Sequence, residues 1–433
     1  MTKRVISTMK SLLILALAIL AVYQVSQLWF VNLTNRNFFL YLSARFPPAT
    51  PNEQNAWARP FRVIYGAGDG RFNVRYSGID GIATSTPWRY GENALDAIFR
   101  AGNFSRIIDE ICIETRPVFI FEYAFSMCAD TFARALGRRN GMALTGQGIS
   151  TFDAIVVKPP YGDDGLLRVF LLANDRGWEF TMTPGNRQHP MEDFAISIPP
   201  AGTHGLYFVL EHGFFSPRIE GSFFYNPIVA HNPYLRDGNL HLSDILPQVQ
   251  LFFGNPATIL QSADPVYTFS NLNTTVRYLP TSVLEYTSFR TIVRTAPASL
   301  LSDFSAALAF IDRDFNVEND KILVDYEERG SQHIFWFDYV IDDFRIELND
   351  FWTTTVLDYD CRDPLRAAIE IIVDHGRIVR YRRIPHSFRR GELRLIDPGN
   401  LAGEDFALGF LISRESVSAR PAIEHSVFSV IGE

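Results

Sequence analysis

From Ser11 to Phe30 the chain reads SLLILALAILAVYQVSQLWF, a run without a single charge. Lys3, Arg4 and Lys10 precede it, and Arg36 is the next charged residue after it. A helix of that length reaches about 30 Å, the thickness of a bilayer's hydrocarbon core. Lipid offers the backbone no hydrogen-bond partners, so such a segment satisfies its own as a helix. Basic residues on the near side hold the N-terminus in the cytoplasm, and Tyr23 and Trp29 suit the outer interface. A cleaved signal peptide has a shorter apolar region, about 7–15 residues, and ends in small residues. This run ends in Tyr23, Gln24, Gln27, Leu28 and Trp29, with its alanines inside it. The sequence therefore predicts a cytoplasmic N-terminus at 1–10, a retained single-pass helix at 11–30, and a C-terminal region on the extracytoplasmic side of the cell membrane.

Beyond the run, the chain is long enough for more than one core. It has 433 residues in all, and two or three domains are the expectation at that length. Its 36 phenylalanines and 47 % hydrophobic content favour packed sheets and sheet–helix layers over disorder. A net charge of −8 argues against nucleic acid as a partner. Phe46-Pro47-Pro48 through Pro51-Asn52 marks a linker over 31–58. Changes of pattern near 190 and 298 then divide the rest into an α+β domain at 59–190, a mostly β meander at 191–298, and an α+β domain with a C-terminal tail at 299–433. The expected fold class is α+β: one transmembrane helix, then antiparallel sheets with packed helices.

Several elements are readable locally. Phe61–Tyr65 and Phe72–Tyr76 flank Gly66-Ala67-Gly68-Asp69-Gly70 as a hairpin. Those glycines brush against a phosphate-binding fingerprint, but a strand pattern follows where that motif needs a helix. Asn93 to Gly102 reads as a short helix, and Phe104, Ile107, Ile108 and Ile111 continue at helical spacing. Arg116 to Tyr123, Phe152 to Val157 and Leu167 to Ala173 read as strands, the last two buried on both faces. Ser126 opens a helix that Gly137 closes. Leu251-Phe252-Phe253 begins a strand meander through Val266–Phe269, Val276–Leu279 and Val283–Thr287. Ser299 to Ile311 is helical. Ile334–Val340 and Phe344–Leu348 form a hairpin with Arg345 and Glu347 facing water. A second hairpin joins Ile369–Val373 to Ile378–Arg383 through Asp374-His375-Gly376-Arg377.

Motifs that carry chemistry are few. HExxH, GxSxG, P-loop and CxxC patterns do not occur. His204, His212, His231 and His241 gather in one region without metal-site spacing. Asp312, Asp314, Asn316 and Glu318 alternate like the opening of a calcium loop. Val317 and Leu323 stand where glycine and glutamate are needed, which leaves a solvated acidic loop. Cys112, Cys128 and Cys361 are an odd set: Cys112 and Cys128 could pair, but the preferred reading is three buried apolar thiols. The basic run is more telling. Arg377, Arg380, Arg382, Arg383, Arg389, Arg390 and Arg394 crowd together in an otherwise acidic chain. They suggest either a patch for an anionic wall polymer, lipid headgroup or acidic partner, or a charged edge strand protected from aggregation. Within the apolar run, Gln24, Ser26 and Gln27 are candidates for contact with other membrane helices.

Taken together and in order, several blocks resemble the YycH (WalH) family of membrane-anchored accessory proteins. They are the run ending in Gln27-Leu28-Trp29, Pro117–Phe121, Phe152–Val157, Val266–Phe269 with Val276-Arg277-Tyr278 and Val283–Tyr286, and Phe337–Val340 with Gly376–Arg383. The resemblance is collinear from about Met9 to Arg383, and the stretch beyond Arg383 lies outside it. It implies a YycH N-terminal-like first domain, a YycI-like third domain, and regulation by contact. The partners it implies are a WalK-like sensor histidine kinase of a two-component system and a related YycI-like (WalI) protein. No enzyme activity, metal or cofactor is expected. Two rival functions stand beside it: an anionic wall-polymer or lipid-binding module built on the arginine run, and an extracytoplasmic hydrolase whose site is assembled from distant residues.

Overall fold

The computed structural model describes residues 55–396, apart from stretches within that range such as 138–147, 183–204 and 347–364, together with Phe428–Ser429. Among the described residues no helix is long and apolar enough to cross a membrane. The run from Ser11 to Phe30 lies outside them, as do Gln24, Ser26 and Gln27. Two antiparallel sheets and four helices make up most of the described residues, an α+β arrangement.

The first sheet is built from β1 (Arg62–Gly66), β2 (Phe72–Tyr76), β3 (Asn103–Ile108), β5 (Val118–Cys128), β6 (Thr151–Lys158), β7 (Leu167–Ala173), β8 (Arg176–Met182), β9 (Gly205–Glu211) and β10 (Phe214–Glu220). Their order is β10-β9-β2-β1-β5-β6-β7-β8-β3. The short β4 (Ile111–Cys112) pairs in parallel with β26 (Phe428–Ser429). Val118 to Phe121 on β5 and Ile155 to Val157 on β6 are all fully buried, as expected for central strands covered on both faces. Helix α1 (Thr86–Ala101) lays Trp88 on Phe121, ring centroids 5.4 Å apart. Gly91 lets the helix backbone come down on the same ring: a Cβ there would lie 2.5 Å from it. Helix α2 (Ala129–Ala135) buries Phe132 against Phe152 at 5.1 Å.

Short strands β11 (Phe223–Tyr225), β12 (Ile228–His231), β13 (Leu235–Arg236) and β14 (Asn239–Leu240) lead to helix α3 (Leu242–Phe253). The second sheet comes next, with β15 (Leu260–Ala263), β16 (Tyr267–Ser270), β17 (Thr274–Leu279), β18 (Val283–Ser288), β19 (Asp320–Arg329), β20 (Gln332–Ile341), β21 (Phe344–Ile346), β22 (Ile369–Asp374) and β23 (Arg377–Arg383). Its order is β15-β16-β17-β18-β23-β22-β20-β19, with β21 on β20. One sheet thus joins strands from 260–288 to strands from 320–383. Beyond β23, β24 (Ser387–Arg390) pairs with β12 and β25 (Arg394–Ile396) with β11. Helix α4 (Leu300–Ile311) and α3 cover one face of this sheet. Phe310 meets Tyr381 at 5.2 Å, Phe252 meets Phe310 at 5.6 Å, and Phe304 meets Phe335 at 5.5 Å.

Four local expectations are corrected. Residues 103–108 form a strand where a helix was expected. A bulge between Phe104 and Arg106 breaks the two-residue alternation into a spacing that mimics a helix. Leu251-Phe252-Phe253 end α3 and do not begin a strand; Pro247 inside that helix masks it, because proline reads as a breaker. Helix α1 starts seven residues before Asn93, at Thr86-Pro87, with proline in the first turn where its missing N–H costs nothing. Arg345 does not face water. It bonds Asp338 at 2.6 Å and lies over the Phe61 ring at 5.3 Å, because the face of the sheet that carries it is covered by the first sheet.

The two sheets meet along β19 and β5. Ala56, Trp57 and Ala58, read from the sequence as the end of a linker, are buried there. Trp57 touches Phe125 of β5 at 5.5 Å, Tyr326 of β19 at 5.0 Å, Phe304 of α4 at 5.1 Å and Phe335 of β20 at 6.3 Å. Its indole supplies more apolar contact than any polar linker residue, which is why the segment folds in. On the other face Phe61 packs on Tyr76 at 5.3 Å, beside Ile322 and Val340.

Candidate functional site

The β22–β23 hairpin places the arginine run. Its turn has His375 and Gly376 both at positive φ, 51° and 76°, the primed-turn geometry that matches strand twist. Two-residue alternation then sends Arg380 and Arg382 to one face of the sheet and Tyr381 and Arg383 to the other. Arg377, in the turn, is exposed. Arg380 bonds Glu285 across the β18–β23 ladder at 3.1 Å and stays partly exposed. Arg382 is only 1 % exposed and bonds Glu370 through Nη2 at 2.6 Å and Nε at 2.9 Å. The other oxygen of Glu370 accepts the Trp336 indole N–H at 3.0 Å. Arg366 lies over the same indole ring at 5.1 Å. Strand register extends this into a cross-sheet row, Arg277–Glu285–Arg382–Glu370–Trp336–Asp325. Opposite charges alternate along its first four positions, the arrangement that stabilises neighbouring strands.

Arg383 faces the helices and is fully buried. Its guanidinium pairs with Asp314, one bond measuring 2.9 Å, and Nη2 donates to the Tyr234 hydroxyl at 3.3 Å. Asp314 also accepts from the Tyr381 hydroxyl at 3.0 Å and from the Gln248 amide. This corrects the acidic-loop reading, because Asp314 is 1 % exposed. It comes directly after α4 and turns inward to meet a charge that the sheet has buried. Asp312, two residues earlier, is the solvated one and pairs with Lys321 at 2.8 Å. Burial opposes the charge on Arg383, but Asp314, with Tyr381, Tyr234 and Tyr339, outweighs it and holds the guanidinium's pKa above its ordinary value. Burial pushes the Tyr339 hydroxyl up to about 12 and Tyr381 well above its usual range.

The arginine run is therefore not one surface patch. Arg382 and Arg383 are inside the sheet's two faces, and Arg377 and Arg380 remain outside. Arg389 and Arg390 lie on β24, whose backbone pairs with β12. The signal for this was present in the sequence: an alternating strand that buries Tyr381 must bury Arg383 on the same face.

A second polar cluster sits where the hairpin tip meets α4. Asp303, 1 % exposed, accepts from the Gly376 N–H at 2.6 Å and contacts His333 Nδ1 at 2.6 Å. Asp374 contacts His375 Nδ1 at 2.5 Å. Burial works against the Asp374 charge, but hydrogen bonds from His375, Ser331 and Gln332 outweigh it and lower its pKa. A lowered carboxylate stabilises the fold above its unfolded value, about 3.9, and loses that contribution as pH falls through the folded value. Protection of the Ser331–His333 and Asp374–Gly376 amides, taken relative to the intrinsic exchange rate at each pH, is expected to hold down to about pH 4 and to fall below it. An equal loss of protection with falling pH in an Asp374→Asn variant and the parent would refute the assignment.

Cys128 is an exposed free thiol at the end of β5, which corrects the buried reading for that residue; the side chains of Cys112 and Cys361 lie outside the described set. His241 is exposed, and His204 and His212 lie outside the described residues. Among the described residues no group of three His, Cys, Asp or Glu side chains is placed to hold a metal ion. A cavity of about 20 Å³ beside Trp57 and Arg59, at the junction of the sheets, has room for about one water.

No family model matches this chain, and no curated protein matches it. Among solved structures, the crystal structure of YycH from Bacillus subtilis aligns with a TM-score of 0.46 at 11 % identity, over 82 % of this chain and 86 % of that one. The likeness is one of fold, and no residue role is carried over from it.

Proposed function

We propose that this chain is a membrane-anchored, extracytoplasmic accessory protein that acts without catalysis, modulating a WalK-like sensor histidine kinase by contact in the company of a YycI-like partner. The observation that carries the reading is where the charges go. The conspicuous basic residues Arg382 and Arg383 are consumed inside the sheet by Glu370 and Asp314. A folded body whose charges are satisfied internally leaves them unavailable to an anionic ligand, which favours contact between folded surfaces over polymer capture. The order of the sequence blocks, which resembles the YycH family, supports the choice of partner. Gln24, Ser26 and Gln27 are the proposed helix contacts within the span, each worth about 1 kcal/mol or less. The polymer-binding alternative needs Arg382 and Arg383 at the surface, and they are buried.

A bacterial two-hybrid assay in membranes, with the full-length chain against the WalK-like kinase of the same cell, tests the proposal. A signal is expected, and it should weaken when Gln24, Ser26 and Gln27 are all changed to leucine. No signal from the full-length chain, under conditions where control pairs respond, would overturn the proposal.

A further inference from the structure

The start of the described chain crosses an edge strand from one face to the other. β19 is the last strand of its sheet. Its Leu323 and Tyr326 point to the helix-covered face with Phe337 and Phe335, and Ile322 points to the opposite face with Asp338. Trp57 sits on the first face, against Tyr326, Phe335 and Phe304. Phe61 sits on the second, beside Ile322 and Val340. Residues 57–61 therefore wrap the edge of β19. Both ends of the wrap are also fastened to the first sheet. The Tyr123 hydroxyl donates to the Ala58 carbonyl at 3.1 Å, Phe61 N–H donates to the Glu122 carbonyl at 2.7 Å, and Arg62 pairs with the Glu122 side chain at 2.5 Å. Nearby, Ile79 N–H donates to the Lys321 carbonyl at 2.7 Å. In sequence this wrap lies between the apolar run and the rest of the described residues.

We propose that residues 57–61 are a clasp that joins the two sheets across β19 and passes displacement of the chain upstream of residue 55 to the β5–β19 junction. The clasp has a physical basis in its asymmetry: one indole holds four rings contributed by both sheets and α4, while the bonds joining Ala58, Phe61 and Arg62 to Tyr123 and Glu122 fasten the segment to β5. Where the wrap crosses it, the edge strand is shielded from pairing with other chains. The transmission step rests on the proposed kinase contact; the clasp itself does not.

Hydrogen exchange on the full-length chain in lipid nanodiscs reads the clasp directly. In Trp57→Ala, amides at Tyr123–Phe125 and Leu323–Tyr326 are expected to exchange about 100-fold faster or more. Amides of β6–β7 and β17–β18 should hold their protection. A uniform rise over both sheets, or none, overturns the clasp. Tyr123→Phe removes only the bond to Ala58 and is expected to give the same pattern at about 5-fold, so the test survives if Trp57→Ala does not fold. Kinase output in cells reads transmission. With the two-hybrid contact retained, Trp57→Ala is expected to change output, and unchanged output beside a loosened junction overturns it. Loss of contact in the parent chain overturns the proposed function and leaves the exchange experiment to decide the clasp.

Discussion

Asp314→Ala is expected to lower the unfolding free energy by about 3–5 kcal/mol, the cost of leaving a buried charge without its partner. The substitution strips Arg383 of its carboxylate at a site with no exposure, and Tyr381 and Gln248 lose an acceptor in the same step. Urea titration of the purified chain, with both variants and parent at one pH, gives the number. Removing both charges, with Asp314→Leu and Arg383→Met together, is expected to cost less than the sum of the single changes, because neither charge is then stranded. A loss below about 1 kcal/mol for Asp314→Ala is what an exposed pair would show, and it would return Arg383 to the surface. The same logic bears on function. Arg383→Glu, the natural probe for a polymer-binding patch, sets a carboxylate against Asp314 and unfolds the sheet before it can report on any ligand.

Phe121→Ala is expected to cost about 3–5 kcal/mol through the cavity it leaves in the first sheet. The ring is fully buried, meets Trp88 edge-on, and fills the space beneath Gly91. That last contact makes the prediction specific. A side chain at position 91 points straight at the ring, so Gly91→Leu alone overpacks the helix–sheet contact and destabilises by about 1–3 kcal/mol. Placed together, the two changes are expected to be less harmful than their sum would suggest, since the leucine enters the space the ring vacated. Thermal unfolding of the four proteins in the cycle measures the coupling. Strict additivity would mean that α1 does not rest on β5 at this point.

These expectations separate what the chain's local pattern could state from what it could not. The β1–β2 and β22–β23 hairpins and helix α4 were legible because their signals are local: glycine-bearing turns, alternation, and a helical apolar stripe. Residues 103–108 and 251–253 were misread where one irregularity, a bulge or a proline, disguised the period. The arginine run was misread for a different reason. Its partners lie far off in sequence, Glu370 at 12 residues and Asp314 at 69, and a count of charges in a window does not see across that distance. Trp57 was invisible for the same reason, since the rings that hold it come from β5, α4, β19 and β20. The polar residues of the apolar run, by contrast, were chosen on local grounds and remain part of the proposed contact.

The central ladder of the second sheet has a consequence for how the protein is made. The edge of β18 that β17 leaves open pairs with β23, and Tyr234 waits for Arg383, 149 residues later in the chain. Contacts of such long separation form slowly, because a large loop must be closed before they return anything. Synthesis runs from the N-terminus, so strands β15 to β18 emerge with β18's outer edge unpaired until the C-terminal hairpin arrives. For a polypeptide threaded through a translocation channel, that interval is spent on the far side of the membrane. Under the topology proposed above, chaperones and proteases outside the cytoplasm would meet this sheet half-built.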